Sequence, residues 1–243
     1  MQDLANTKVS KIVAQNYKAA QVFTAYGIDF CCNGGISLEL ACNQQNYDLQ
    51  TVIAEINQAL AIPETENFSN MPLDELATYI EKIHHTYVRN TIPALSTYLT
   101  KLCKVHGERH PELHEIKLLF DQSAVELTNH MGREEQILFP YIQALAAAQR
   151  GQFQLSQPHF GHLENPISMM KMEHEQEGDR FKKIAKLTDS YTLPKDACQT
   201  YQVTFMVLQE FEKDLHKHIH LENNILFPKA LEMYESTFSP KNV

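Results

Sequence analysis

His130-Met-Gly-Arg-Glu134-Glu-Gln-Ile-Leu-Phe-Pro140 and His218-Ile-His-Leu-Glu222-Asn-Asn-Ile-Leu-Phe-Pro228 are the same motif, H-x-x-x-E-x-x-I-L-F-P, written twice 88 residues apart. Each copy ends a long segment of helical periodicity. Around the first copy the inward rows step by seven: Phe120, Leu127, Glu134, Tyr141 and Ser123, His130, Ile137. Around the second they run Tyr201, Leu208, Leu215, Glu222 and Thr204, Phe211, His218, Ile225. A histidine and a glutamate one turn apart thus interrupt each apolar stripe on its own face. A third stripe, Ile167, Met170, His174, Glu177, Phe181, Ile184, sets His174 where a leucine belongs. One histidine on an apolar face is ordinarily a hydrogen-bonded core residue. Three helices that each bury imidazole or carboxylate are another matter, because an unpaired buried carboxylate protonates or finds a cation. The pattern points to a metal.

Working outward, helical periodicity runs from Leu73 to about Glu235, broken at Gly107–Pro111, at Gly151–Pro166 and near Pro194. Four long segments result, roughly 73–104, 112–148, 166–188 and 196–235, with connections short enough for an all-α, up-down-up-down four-helix bundle. Ahead of it, residues 1–62 read as a small helical domain, with stripes Val9, Ile12, Val13, Tyr17 and Val52, Ile53, Ile56, Leu60 around the turn Gly27-Ile-Asp-Phe-Cys-Cys-Asn-Gly-Gly35. Residues 63–72, bounded by two prolines, read as a linker, and 236–243 as a tail.

The first bundle helix must supply a matching ligand, and it offers neighbours, His84 and His85. The stripe Leu73, Leu76, Ile80, Ile83, Tyr87 points near His84, whereas Val88, Ile92, Leu95, Leu99 swings toward His85, so periodicity leaves both open. Spacing favours His85 slightly: it precedes His130 by 45 residues, as His174 precedes His218 by 44. His84 becomes a neighbour behind the ligands. Four imidazoles and two carboxylates (His85, His130, His174, His218, Glu134, Glu222) exceed what one zinc ion needs and suit two metals sharing both glutamates. Nitrogen and oxygen donors inside a bundle favour iron, then manganese. Glu126 and Glu173 are candidates for a supporting or channel role, against the plainer reading of surface charge.

Composition narrows the function. A formal charge of -9 without a lysine/arginine block argues against nucleic acid or an anionic membrane as partner. No apolar run approaches the roughly 20 residues of a membrane span. The start, MQDLANTKVSKI, is too polar for a secretory signal, and five scattered cysteines suit a reduced, cytoplasmic setting. Cys31 and Cys32 are adjacent, so a disulfide between them would be strained. They read as a redox or iron-transfer pair, or a contact for a client or second subunit, against the plainer reading of a buried turn. Cys42, Cys103 and Cys198 read as ordinary helix-face residues, and Met169, Met170 and Met172 as core filler. His216 and His220 point about 160° from His218, toward solvent or a subunit. His159 and His162 read as exposed, and His106, His110 and His114 as surface at another connection.

From Leu73 onward the sequence resembles a haemerythrin-like domain. Respiratory haemerythrins carry five histidines and two carboxylates, one in H-x-x-x-x-D; here a second H-x-x-x-E replaces it. That departure, together with Asp29-Phe-Cys-Cys-Asn-Gly-Gly35, is similar to the iron–sulfur cluster repair di-iron proteins, the repair of iron centres family. The resemblance spans essentially the whole chain. It implies the six ligands above, with H-x(7)-P-x-L matching His85, Pro93 and Leu95. It further implies two non-haem iron ions with oxo and carboxylate bridges, a cytoplasmic homodimer, and clients whose clusters nitric oxide or peroxide has damaged. Iron donation and nitric oxide reductase-type activity are the activities it implies. The competing expectations are an oxygen or nitric oxide binding or sensing protein without repair activity, and a metal-free helical adaptor.

Overall fold

The computed structural model describes residues 3–61, 68–152 and 154–238. Half of the linker expected at 63–72 and most of the tail expected at 236–243 lie outside these residues. Among the described residues there is no strand, only an isolated bridge between Lys8 and Ser37. The fold is all-α, with an up-down-up-down four-helix bundle as its main part.

Four short helices come first: α1 (Val9–Gln15), α2 (Ala19–Ala25), α3 (Leu38–Gln45) and α4 (Leu49–Leu60). Their starts follow local chemistry. The Ser37 hydroxyl accepts from Leu40 N–H, and the Asp48 carboxylate accepts from Thr51 N–H, each satisfying an amide the first turn leaves bare. The bundle helices follow: α5 (Leu73–Ile80) with α6 (Thr86–His106), α7 (Glu112–Arg133) with α8 (Phe139–Gln149), α9 (Glu164–Leu187), and α10 (Gln199–Leu221) with α11 (Phe227–Phe238).

Three of those four are joined through single π turns, at Glu81–His85, Glu134–Leu138 and Glu222–Leu226. In the two motif copies, Phe139 N–H bonds Glu134 C=O and Phe227 N–H bonds Glu222 C=O, spanning five residues instead of four. The prolines explain the widening. Pro140 and Pro228 have no N–H to return to the carbonyl four residues back, so the ladder relaxes one residue earlier.

An extra residue in a turn rotates everything beyond it by about 100°. That corrects the rows of seven: Ile137 is 41% exposed, while Leu138 and Ile142 take the buried positions expected for Ile137 and Tyr141. It also explains the two candidate stripes of the first bundle helix. Leu73, Leu76 and Ile80 are buried before the π turn, Val88, Leu95 and Leu99 after it, and Ile83, assigned to the first stripe, is 49% exposed. Both His84 and His85 are buried at the switch between the stripes.

By contact the chain divides into two compact units. One comprises Ala77–Tyr141 and Asn165–His218 and contains most of all four bundle helices. Its interior is aromatic. The Phe211 ring lies edge-on to Phe120 at 5.5 Å and stacks on Phe181 at 5.6 Å. The other unit comprises Met1–Leu76, Ile142–Glu164 and Ile219–Val243. Within it, the Asp29–Gly35 turn packs on α1, where Ser10 N–H bonds Gly34 C=O at 2.8 Å. A Cβ on Gly34 would meet Phe30 C=O at 2.6 Å and Ser10 Cβ at 2.9 Å, whereas one on Gly35 would meet nothing within 4 Å. Gly34→Ala should therefore lower stability by about 1–3 kcal/mol, the cost of overpacking. Gly35→Ala should stay within about 0.5 kcal/mol of the parent in the same thermal melts.

Candidate metal centre

Five of the six expected ligands, four histidines and Glu134, come together inside the four-helix unit. The first helix brings His85, the second His130 and Glu134, the third His174 and the fourth His218, all buried. His85 Nε2 lies 3.2 Å from His218 Nε2 and 3.4 Å from Glu134 Oε2. His130 Nε2 lies 3.0 Å from His174 Nε2 and 3.3 Å from the same Glu134 Oε2. One carboxylate thus reaches two imidazole pairs. Glu222 follows His218 by four residues, at the start of the fourth helix's π turn, and is buried. Within the four-helix unit two groups could hold a metal, His85, Glu134, His218 and His130, Glu134, His174, each with its ligand atoms within 4.8 Å of one another. Ligands at about 2.0–2.2 Å from one ion fall inside that separation.

Proton placement sharpens the point. His85 Nδ1 lies 2.7 Å from Glu135 Oε1, and His130 Nδ1 lies 2.8 Å from Glu173 Oε2. A carboxylate can only accept, so each imidazole donates from Nδ1 and turns the Nε2 lone pair inward. There it faces another carboxylate oxygen, Glu134 Oε2. Lone pairs converging on lone pairs suit a cation. The donor set therefore fits a metal pair.

The outer carboxylates are themselves held ionised. Burial would raise Glu173, but hydrogen bonds from His130 and from Arg133 (2.6 Å), with the Arg133 charge, hold it well below the usual glutamate range. Burial likewise opposes, and Arg89 and His85 outweigh, so that Glu135 sits below the usual glutamate range. Arg89 donates to both Glu135 oxygens at 2.6 Å. Glu135 is a residue the sequence reading missed, because its partners, His85 and Arg89, lie on another helix. Glu135→Gln should weaken metal affinity by about 10–100-fold, measured by chelator competition, because a neutral amide no longer fixes the imidazole as firmly.

The remaining candidates fall as follows. His84 belongs to neither group; its ring stacks on His218 at 5.6 Å, and its Nδ1 lies 2.9 Å from Asp214 Oδ1. Glu126 touches no ligand and instead accepts from Arg180 at 2.7 Å, which draws its carboxyl below the usual range. With Glu173, Glu177, Arg133, His130 and His174 it lines a cavity of about 280 Å³ beside one histidine pair. Cys31 and Cys32 form no disulfide, their sulfurs lying 3.7 Å apart. Two histidine expectations are corrected. His220 is buried, not solvent-facing, because it packs against Tyr17 and Phe30 and meets Asn224 Nδ2 at 3.0 Å. His106 is also buried, with Nε2 3.2 Å from Cys198 Sγ and its ring against Tyr201. No helix among the described residues is long and apolar enough to cross a membrane.

Known proteins share both parts of this chain. The family model described as Hemerythrin HHE cation binding domain matches residues 76–230, and the one described as Domain of Unknown function (DUF542) matches residues 5–60. Bundle and donor set thus define a haemerythrin-class cation-binding protein. The chain is 35% identical over 223 residues to the iron-sulfur cluster repair protein ScdA of Staphylococcus haemolyticus, covering 91% of this chain and 96% of that one. It is 32% identical over 230 residues to the iron-sulfur cluster repair protein YtfE of Yersinia pseudotuberculosis, covering 94% and 98%. The chain belongs to this family of iron–sulfur cluster repair proteins.

Proposed function

We propose that this chain repairs damaged iron–sulfur clusters and that His85, His130, His174, His218, Glu134 and Glu222 hold two iron ions for that purpose. The relatives' names support the repair. The observation that carries the metal assignment is the single Glu134 oxygen placed between two inward-facing imidazole pairs. When bound, the iron pair supplies redox-active cations with open positions for small ligands such as nitric oxide or oxygen, and in donation it is also the cargo.

The chain's own residues set how firmly that cargo is held. Glu135 and Glu173 hold Nδ1 of His85 and His130, so both rings turn Nε2 inward. Arg89 and Arg133 keep those two outer carboxylates charged and in place. Only two of the six residues that would hold the metals, Glu134 and Glu222, could be anionic, so the set would hold a divalent ion less firmly than a carboxylate-rich one. A shift or protonation of Glu134 or Glu222 loosens it further. The Phe211, Phe120 and Phe181 rings fill the bundle interior and exclude water there.

The test is transfer. Anaerobically purified protein is mixed with a cluster-depleted dehydratase, and iron loss from the chain is followed together with the client's regained activity. The two should rise together. Iron that stays bound while a small ligand comes and goes reversibly would instead identify a carrier. Full repair by an iron-free Glu134→Leu, Glu222→Leu double variant would remove the proposal.

A further inference from the structure

The Asp29–Gly35 turn takes no part in the centre described above, yet it gathers three metal-ligating side chains. Asp29, Cys31 and Cys32 each offer a ligand atom, and these lie within 4.8 Å of one another. The two Sγ atoms are 3.7 Å apart, and Cys31 Sγ is 3.5 Å from Asp29 Oδ1. Those separations have a simple meaning. Metal–sulfur bonds of about 2.3 Å and metal–oxygen bonds of about 2.0–2.2 Å at the tetrahedral angle put two sulfurs about 3.8 Å apart and a sulfur about 3.5–3.7 Å from an oxygen. A disulfide would need about 2.0 Å. The thiols therefore stand at the edges of a coordination tetrahedron, not at bonding distance.

The turn is also built to hold that shape. Asp29 Oδ1 accepts from Cys31 N–H at 3.1 Å and Cys32 N–H at 3.0 Å, and Asn33 Nδ2 donates to Oδ2 at 3.3 Å, which aims the carboxylate over the sulfurs. Outer hydrogen bonds of this kind are what orient ligating carboxylates. On the other side, Asn223 donates to Cys31 C=O at 3.2 Å and Asn224 to Phe30 C=O at 3.0 Å. Both asparagines directly follow Glu222 on its π turn. Cys31 is buried, 5% exposed, while Cys32 is half-buried and gives access. The hydrogen bond with Cys32, burial and the nearby Asp29 charge together push the Cys31 thiol well above its ordinary range. A divalent cation reverses that preference, since thiolate is the ligating form.

We propose that Asp29, Cys31 and Cys32 form a separate mononuclear site for a thiophilic divalent cation, zinc or ferrous iron, with one coordination position left open. Binding exchanges the two thiol protons for the cation, so affinity rises with pH and two protons are released. The site stands on the turn's own geometry and does not depend on iron at the dinuclear centre.

The test uses full-length protein, loaded with iron and then titrated anaerobically with cobalt(II) in a thiol-free reductant. One further equivalent should bind, with the intense near-ultraviolet absorption of thiolate-to-cobalt charge transfer. Zinc(II) and iron(II) are then added in separate arms, and whichever displaces cobalt at the lower concentration identifies the preferred ion. Cys31→Ser and Cys32→Ser should each abolish the absorption. Asp29→Asn should weaken binding by at least about 10–100-fold, the loss that outer-shell partners alone produce. Two irons per chain, beyond any held at this site, should remain in all three, which reports folding and separates this site from the dinuclear one. Absence of a thiolate band would overturn the proposal. So would a band that survives Cys31→Ser but disappears in Cys198→Ser, which marks an exposed thiol as an adventitious ligand.

Discussion

Glu134→Leu should leave a helical protein that cannot hold its metal pair, with bound iron falling from two per chain to less than one. Within the four-helix unit this carboxylate is the group both histidine pairs share, at 3.4 Å from His85 and 3.3 Å from His130. The stability change should depend on the metal, the variant gaining on the parent without it and losing about 2.7 kcal/mol of that difference with it. Without metal, the parent buries a carboxylate against imidazole lone pairs, and leucine there should stabilise the bundle by up to about 1–4 kcal/mol, as when buried polar groups give way to apolar ones. With metal at about 100 times its dissociation constant, the parent gains about 2.7 kcal/mol that the variant cannot. Paired thermal melts with and without iron measure both. A variant that is destabilised equally in the two conditions would mean that Glu134 is a structural acid.

Arg180→Met should be the most damaging single change away from the metal. Arg180 and Glu177 form a buried ion pair on the third helix, their side chains 9% and 5% exposed. Arg180 also reaches Glu126 at 2.7 Å, and Ser123 Oγ donates to Glu177 Oε2 at 2.7 Å. Removing the guanidinium strands the Glu177 carboxylate beside one hydroxyl, at a cost of about 3–5 kcal/mol. For a chain of this length that is roughly 6–20 °C in Tm, at about 2–4 °C per kcal/mol. The double variant Glu177→Leu, Arg180→Met should recover most of the loss, because two apolar groups can replace the pair. A single-variant loss below about 1 kcal/mol would show that water reaches Glu177 as it does a surface pair.

Much of this was legible in residue order, for reasons specific to the residues. A stripe such as Ile167, Met170, His174, Phe181, Ile184 carries its own helical period, so a histidine inside it reads at once as buried. The paired motifs supplied Glu134 and Glu222 in the same way. What stayed hidden was a change of period. The π turn at Glu81–His85 puts one stripe before it and another after it, so neither could decide between His84 and His85. The turn at Glu134–Leu138 likewise moved Ile137 out of the core and Leu138 in. Pro140 and Pro228 were the available signals, read as part of a motif rather than as ladder breaks. Glu135 and His220 escaped for another reason: their partners, His85 and the Tyr17–Phe30 pair, come from distant stretches of chain, which no local period reports.

The most direct check is native mass spectrometry of the full-length protein purified without oxygen. Two iron ions per chain are expected, falling to less than one on average in Glu134→Leu with the helical signal retained. A chain that carries a single ion, or keeps both after Glu134 is replaced, contradicts the shared-carboxylate centre.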